Sequence, residues 1–177
     1  MPDVRGVLAA PAGVNANTVW IWLVALVPLL GLGVLLYDFQ NLFELFRQLP
    51  TATTTTPTIS PFAIFTPGYF AAILLPFLGS VGTIVFSALD FRALSARGVA
   101  RPFHWAWTFF VFVQSYAVLI YPIGRTIVAR RRGARASWAP MIVAIVVHLI
   151  VLVATALWGL QIMSQMFSFL STLPTVR

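Results

Sequence analysis

The sequence has no cysteine, no lysine and only four acidic residues among 177. Without cysteine, the chain cannot form disulfides, cysteine-ligated zinc sites, iron–sulfur clusters or a thiol nucleophile. The acidic residues are Asp3, Asp38, Glu44 and Asp90, and all four lie outside the apolar segments described below. The sequence therefore offers no carboxylate pair for acid–base catalysis. It also lacks the Walker, HExxH and GxSxG motifs. We expect no bound cofactor and no metal site.

Apolar residues dominate the rest of the composition. Hydrophobic residues make up 60% of the chain and charged residues 8%, whereas soluble domains carry about 25% charged residues. A soluble fold could not cover this much apolar surface. The sequence predicts an all-α, multi-pass integral membrane protein of the inner or plasma membrane, with residues 1–177 forming a single membrane domain. The net charge of +7 is typical of arginines that flank membrane helices, and nucleic acid is not an expected partner.

Four apolar segments approach or exceed the length of about 20 residues that a helix needs to cross the hydrocarbon core. They lie at about 19–37, 67–89, 103–124 and 140–163. Asn17 and Thr18 can cap the first helix. Between the first two segments, residues near 39–49 have helical amphipathic spacing, which predicts a short helix in the membrane interface. We predict a flexible tail over 1–16, a Thr/Pro-rich linker over 51–61 and a C-terminal tail over 164–177.

The arginines do not agree with four simple spans. With four crossings they divide five against six between the two faces, so the positive-inside rule decides nothing. If segment 103–124 instead dips into the membrane and returns, nine arginines share the cytoplasmic face and two lie outside. The nine are Arg5, Arg92, Arg97, Arg101, Arg125, Arg130, Arg131, Arg132 and Arg135; the two are Arg47 and Arg177. A spanning helix is the commoner structure, and both alternatives stay open at this point.

A few polar residues inside the apolar segments are candidates for function. His148 lies in the middle of the fourth segment, and Gln114 and Ser115 lie in the middle of the third. An ionisable group at this depth indicates a functional site or a neutral side chain bonded to a neighbouring helix. His104, Trp105 and Trp107 are predicted interfacial anchors. Asp90 is expected to pair with Arg92 at the interface.

Two further residue groups predict contacts with lipid or with other helices. Gly79, Ser80 and Gly82 form a small-residue patch that lets another helix approach closely. The arginine cluster after the third segment predicts contact with anionic lipid. Its members are Arg125, Arg130, Arg131, Arg132 and Arg135.

Two stretches, LDFRALSARGVARPFHWAW (89–107) and YPIGRTIVARRRGARASWAPMIV (121–143), resemble a group of actinobacterial membrane proteins of unknown function. The Arg-Pro-Phe-His-Trp-Ala-Trp string and the Gly-Arg followed by an arginine triplet carry this resemblance. Many members have a short Trp-rich cytoplasmic domain before the membrane part, and this chain lacks it. The resemblance implies a cytoplasmic N-terminus and no particular activity.

Three hypotheses about function follow from the sequence. The leading one is a non-enzymatic structural or interaction subunit that packs against a second copy or another membrane protein. The second is a small channel or transporter with a polar path near His148, Gln114 and Ser115. The third is a membrane-embedded enzyme that acts on lipid, with His104 as its reactive group.

Overall fold

The computed structural model describes residues 9–11, 13–48 and 60–172 of the chain. These residues form α-helices and 3₁₀ helices, and they contain no β-strand. The α-helices are α1 (Val19–Leu26), α2 (Gln40–Gln48), α3 (Pro67–Ala96), α4 (Ile120–Arg131) and α5 (Ala139–Thr172). The 3₁₀ helices are Val27–Leu36, Pro61–Ile64, Trp105–Phe112 and Ser115–Leu119. The predicted all-helical class is confirmed.

Three helical stretches in the described residues are long and apolar enough to cross a membrane. They are Val19–Arg47, Pro67–Ala96 and Ala139–Ser171. They correspond to the first, second and fourth predicted segments, so those segments have the length and composition of membrane helices. The first is not a uniform α-helix, because α1 passes into a 3₁₀ helix at Val27. Pro28 lies at this transition and has no N–H for an α-helical hydrogen bond. The interfacial helix predicted near 39–49 corresponds to α2.

The third predicted segment is not one continuous helix. A 3₁₀ helix, Trp105–Phe112, ends before Gln114, whose backbone is extended with φ −149° and ψ 120°. A second 3₁₀ helix, Ser115–Leu119, then leads into α4. The rings of Phe103 and Tyr121 lie 6.0 Å apart. A Cβ atom on Gly124 would come within 2.6 Å of the Phe103 ring. The two ends of the segment therefore lie side by side, and we call 103–124 the hairpin.

The first arm of the hairpin is short compared with the thickness of a membrane. A 3₁₀ helix rises about 2 Å per residue, so an eight-residue arm is about 16 Å long, roughly half the thickness of a hydrocarbon core. Among the described residues, 103–124 therefore contains no single continuous helix long enough to span a membrane. The re-entrant alternative stays a prediction.

The chain divides into two compact units. Unit 1 comprises Met1–Leu30 and Phe77–Val151, and unit 2 comprises Gly31–Pro76 and Leu152–Arg177. In unit 2, aromatic rings make much of the packing. Phe39 lies 4.6 Å from Tyr37 and 5.7 Å from Trp158, and Phe43 stacks on Phe169 at 5.6 Å, centroid to centroid.

In unit 1, α3 and α4 end in the same way. After α3, Gly98 has φ +80° and the Val99 N–H donates to Leu94 O at 3.1 Å. After α4, Gly133 has φ +78° and the Ala134 N–H donates to Ala129 O at 3.1 Å. Both ends are Schellman motifs, in which glycine adopts the left-handed conformation and an apolar pair closes the turn. The two apolar pairs belong to one core cluster with Ala16, Val99 and Ala136 among its members.

The predicted tails are shorter in the structure than in the sequence interpretation. The Ala10 N–H donates to Arg132 O at 2.7 Å, and Ala16 is fully buried, so part of the predicted N-terminal tail contacts the rest of unit 1. Its flexibility stays a prediction. Helix α5 runs to Thr172, which includes most of the predicted C-terminal tail. Residues 1–8, 12, 49–59 and 173–177 lie outside the described residues. Most of the predicted Thr/Pro-rich linker is among them.

Candidate functional site

A buried polar cluster lies in unit 1 where α3, α4 and the residues before α1 meet. Its centre is Asp90, on a face of α3 that also carries the buried residues Thr83, Ser87 and Leu94. These positions are spaced by four, three and four residues, as one helix face requires. The side chain of Asp90 is 0% exposed. A carboxylate at such a position needs strong partners, because burial penalises an uncompensated charge.

Arg125 on α4 supplies the opposite charge. Its Nε donates to Asp90 Oδ2 at 3.0 Å, and its Nη2 donates to Asp90 Oδ1 at 3.2 Å. This fork is the bidentate geometry that makes arginine–carboxylate pairs strong and directional. Nη2 also donates to the main-chain oxygen of Ala16. One guanidinium therefore joins α3, α4 and the segment that leads into α1.

Two hydroxyl groups are the remaining hydrogen-bond donors to the Asp90 carboxylate. The Tyr121 hydroxyl donates to Oδ2 at 2.9 Å, and the Thr18 hydroxyl donates to Oδ1. Thr18 also accepts from the Ile21 N–H at 3.3 Å and so caps α1, as the sequence predicted. Burial, and then the neighbouring Asp90 carboxylate, raise the pKa of Tyr121 far above its ordinary value. Tyr121 therefore stays protonated and acts as a donor.

The carboxylate of Asp90 has no free acceptor site in this arrangement. It accepts four hydrogen bonds, two from Arg125 and one each from Tyr121 and Thr18. An ionised carboxylate has about four lone-pair sites. Asp90 is therefore suited to holding helices together and poorly suited to taking a proton from a substrate. Within the described residues, Ser87 Oγ and Arg125 Nη1 are buried without a hydrogen-bond partner.

Around this cluster, arginines join the loops to one another. Arg97 Nη1 donates to Asn15 O at 2.8 Å and to Asn17 O at 2.9 Å. Arg132 Nη1 donates to Ala100 O. The Ser137 N–H donates to Asn17 Oδ1 at 2.9 Å. Hydrogen bonds thus tie the segment before α1, the loop after α3, and the end of α4 with its following loop into one layer. We call this layer the arginine cap (residues 9–11, 13–18, 97–104 and 125–138).

The structure separates the five arginines that the sequence grouped as lipid contacts. Arg125 is 1% exposed and forms the buried ion pair, so it is not available to lipid. Arg132 is half-buried and bonded to Ala100. Arg130, Arg131 and Arg135 are exposed. The expected pair of Asp90 with Arg92 is also corrected, because Asp90 faces Arg125, 35 positions away in the chain.

The candidate intramembrane polar residues are placed apart. Gln114 and Ser115 are exposed at the turn of the hairpin, and His148 is half-buried on α5. Within the described ranges, no hydrogen bond connects His148 with either of them. The polar path suggested for these three residues is therefore not assembled by direct side-chain contacts.

His104 caps the first arm of the hairpin. Its Nδ1 accepts from the Ala106 N–H at 3.2 Å, and its ring stacks on Trp105 at 5.9 Å and lies 5.3 Å from Phe91. Trp107 is 51% exposed and stacks on Phe110 at 5.8 Å. One imidazole nitrogen of His104 is thus engaged in a local turn, which gives it a structural task in addition to the predicted anchoring.

The small-residue patch lies against the first membrane helix of the same unit. A Cβ on Gly82 would lie 2.9 Å from Val27 Cγ2, and one on Gly79 would lie 3.4 Å from Leu30 Cβ. Ser80 is half-buried in the next position. The close approach predicted for this patch is therefore made within the chain, to residues 27–30.

Sequence reasoning missed Asp90, Tyr121 and Thr18 as one group. The available signal was the spacing of Thr83, Ser87 and Asp90, which places small polar residues and a carboxylate on one face of an apolar helix. Its partners could not be read from the sequence, because they come from distant segments. Comparison with protein-family models, curated proteins and solved structures found no match for this chain. The resemblance of its two arginine-rich stretches to actinobacterial membrane proteins therefore stays a prediction.

Proposed function

We propose that this protein is a non-enzymatic membrane subunit that works by packing against a second copy or another membrane protein. The observation that carries the proposal is the saturated carboxylate of Asp90. The most deeply buried charged groups among the described residues, Asp90 and Arg125, form hydrogen bonds that hold three segments of unit 1 together. Their charged groups are engaged within the chain, where they hold a scaffold together, and such a scaffold suits an interaction subunit.

The apolar helix faces support the same proposal. In α5, 11% of the most apolar window is buried within the chain. Leu149, Leu157 and Leu160 are each more than half exposed. Such faces need lipid or another helix around them, and helix association in membranes depends on packing of this kind.

The proposed arrangement in the inner or plasma membrane has a cytoplasmic N-terminus, three crossings and a hairpin that enters and leaves on the cytoplasmic side. It is supported by the hydrogen bonds of the arginine cap, because segments bonded to each other share one face of a membrane. It also gives the nine-to-two distribution of arginines that the positive-inside rule favours. A cytoplasmic N-terminus agrees with the family resemblance.

Cysteine labelling tests this arrangement directly, because the natural chain has no cysteine. Arg131→Cys and Thr54→Cys variants are treated in intact cells with a membrane-impermeant maleimide. We expect labelling of the Thr54 variant and protection of the Arg131 variant until the membrane is permeabilised. Equal labelling of the two variants in intact cells would contradict the arrangement.

Crosslinking tests the interaction itself. A photo-crosslinking side chain at Leu157, which is 62% exposed, should capture a second copy or a membrane protein in native membranes. The same side chain at Ala144, which is 3% exposed on the same helix, is the matched control and should capture much less. The proposal fails if the purified protein is monomeric and neither position gives a crosslinked product.

A second candidate function, a small channel or transporter, is favoured by the turn of the hairpin. Gln114 and Ser115 are exposed there between apolar arms, and irregular backbone at membrane depth is tolerated where it lines water or protein. If this function is correct, proteoliposomes should show ion or solute flux that Gln114→Leu and His148→Ala reduce, while Ser95→Ala in the arginine-rich region leaves it unchanged. Absence of flux in all proteins would reject this candidate.

A further inference from the structure

The arginine cap contains a shallow cavity, widely open to its surroundings, that the buried cluster does not use. It has a volume of about 450 Å³, and Asn17, Arg130, Arg135 and Ser137 are among its lining residues. Ligand pockets commonly measure about 300–1,000 Å³. The cavity is therefore large enough for a small polar group, and its polar lining includes two cationic side chains.

Arg130 is held in place before any ligand arrives. Its Nη1 donates to Ala136 O at 2.8 Å, and its guanidinium lies 4.6 Å from the centre of the Trp138 ring. The hydrogen bond uses one of five guanidinium N–H donors, and the cation–π contact orients the plane. A planar donor group fixed in this way suits bidentate recognition of a phosphate or carboxylate.

The main chain of Arg135 is held by two hydrogen bonds, and its charged side chain is exposed. Its N–H donates to Val14 O at 2.8 Å, and its carbonyl accepts from the Ala16 N–H at 3.0 Å. Its side chain is exposed, and neither Arg135 nor Arg130 pairs with a carboxylate in the described part of the chain. Two cations thus face one cavity without an acidic partner.

From these observations we infer that the cap cavity binds the phosphodiester of an anionic phospholipid. The inference rests on the proposed membrane arrangement, in which the arginine cap lies at the cytoplasmic surface. Trp138 is 43% exposed beside the cavity and directly precedes α5, a position typical of the aromatic belt at the headgroup level. A headgroup phosphate would lie at this depth, and its acyl chains would lie along α5.

The inference differs from diffuse attraction between arginines and an anionic surface, and matched variants separate the two. The full-length protein in a neutral detergent is mixed with phosphatidylglycerol or phosphatidylcholine, and retained lipid is counted by native mass spectrometry. We expect preferential retention of phosphatidylglycerol. The double variant R130Q/R135Q should bind it about 30-fold more weakly, the value for two basic residues near an anionic lipid.

The control is R92Q/R131Q, which removes two exposed arginines that do not line the cavity. It should bind phosphatidylglycerol within about twofold of the natural protein, since a defined site depends on position as well as charge. Equal losses in the two double variants, or equal retention of the two lipids, would overturn the inference. Displacement of the lipid by an equal concentration of inorganic phosphate would overturn the choice of a lipid ligand.

Arg130 also has structural contacts, so a single variant at Arg135 separates lost lipid binding from lost stability. Arg135 makes its described hydrogen bonds through the main chain, so R135Q alone should weaken lipid binding about fivefold with an unchanged melting temperature. Unchanged lipid binding by R135Q would count against the site. If crosslinking finds no partner but the natural protein still retains phosphatidylglycerol selectively, the proposed interaction role fails and the lipid site stands.

Discussion

Two ion pairs in the part of the chain that the structure describes have the same chemistry and different surroundings. In unit 1, Arg125 Nε lies 3.0 Å from Asp90 Oδ2, and both side chains are 0% exposed. Glu44 and Arg47 in unit 2 are 3.2 Å apart, with 42% and 55% of their side chains exposed. The distances are nearly equal, so distance does not distinguish the pairs. What distinguishes them is exposure to solvent, because hydration and salt weaken an exposed pair much more than a buried one.

The two pairs also differ in the helices that they join. Glu44 and Arg47 are neighbours on one helix, α2, and Arg47 also lies 5.7 Å from the Phe169 ring centre. Asp90 and Arg125 lie on two helices and share partners from a third segment. The exposed pair therefore adds little to the tertiary structure, and the buried pair specifies which segments meet.

The largest effect is expected from breaking the buried pair. Arg125→Ala leaves the Asp90 carboxylate buried without its counter-charge, which typically costs about 3–5 kcal/mol. We expect a large fall in the melting temperature of the detergent-solubilised protein. Arg131→Ala, an exposed arginine on the same helix, is the control and should change it little. Similar melting temperatures for the two variants would show that the Asp90–Arg125 pair does not hold unit 1 together.

A smaller effect is expected when one neutral donor is removed from the same carboxylate. Tyr121→Phe keeps the ring contact with Phe103 and removes the hydrogen bond to Asp90 Oδ2. Hydrogen bonds to charged groups contribute about 1.5–3 kcal/mol, so the melting temperature should fall by less than in Arg125→Ala. A double variant should show a non-additive loss, since both residues bind one oxygen. Simple additivity would indicate that the two contacts are independent.

The smallest effect is expected at the exposed pair. Arg47→Ala removes the contact with Glu44, and exposed pairs contribute about 0–1 kcal/mol. The melting temperature should change by at most about 2–4 °C, and added salt should reduce even that difference. A destabilisation as large as that of Tyr121→Phe would mean that the cation–π contact with Phe169 dominates.

Sequence patterns predicted the helices and the helix cap, because these features depend on the spacing of residues close together in the chain. The apolar runs of the first, second and fourth segments, the amphipathic helix near 39–49 and the cap by Thr18 can be recognised within one turn or one helix. The partner of Asp90 could not, because Arg92 is two positions away and Arg125 is 35. The nearer arginine is the natural expectation from sequence alone. On a helix, however, residues two apart point in different directions and do not face each other.

Composition and periodicity by themselves determined that this is a helical, membrane-type chain, because the transfer of apolar residues out of water depends on amount and spacing. The course of segment 103–124 was decided by the tertiary structure. Its length and hydropathy suit a crossing, yet Phe103 and Gly124 meet, and the arginine cap bonds the loops at both ends. Hydrogen bonds between distant segments are directional and local in space. They bring the two ends of this segment together, which hydropathy does not specify because it has no direction along the chain.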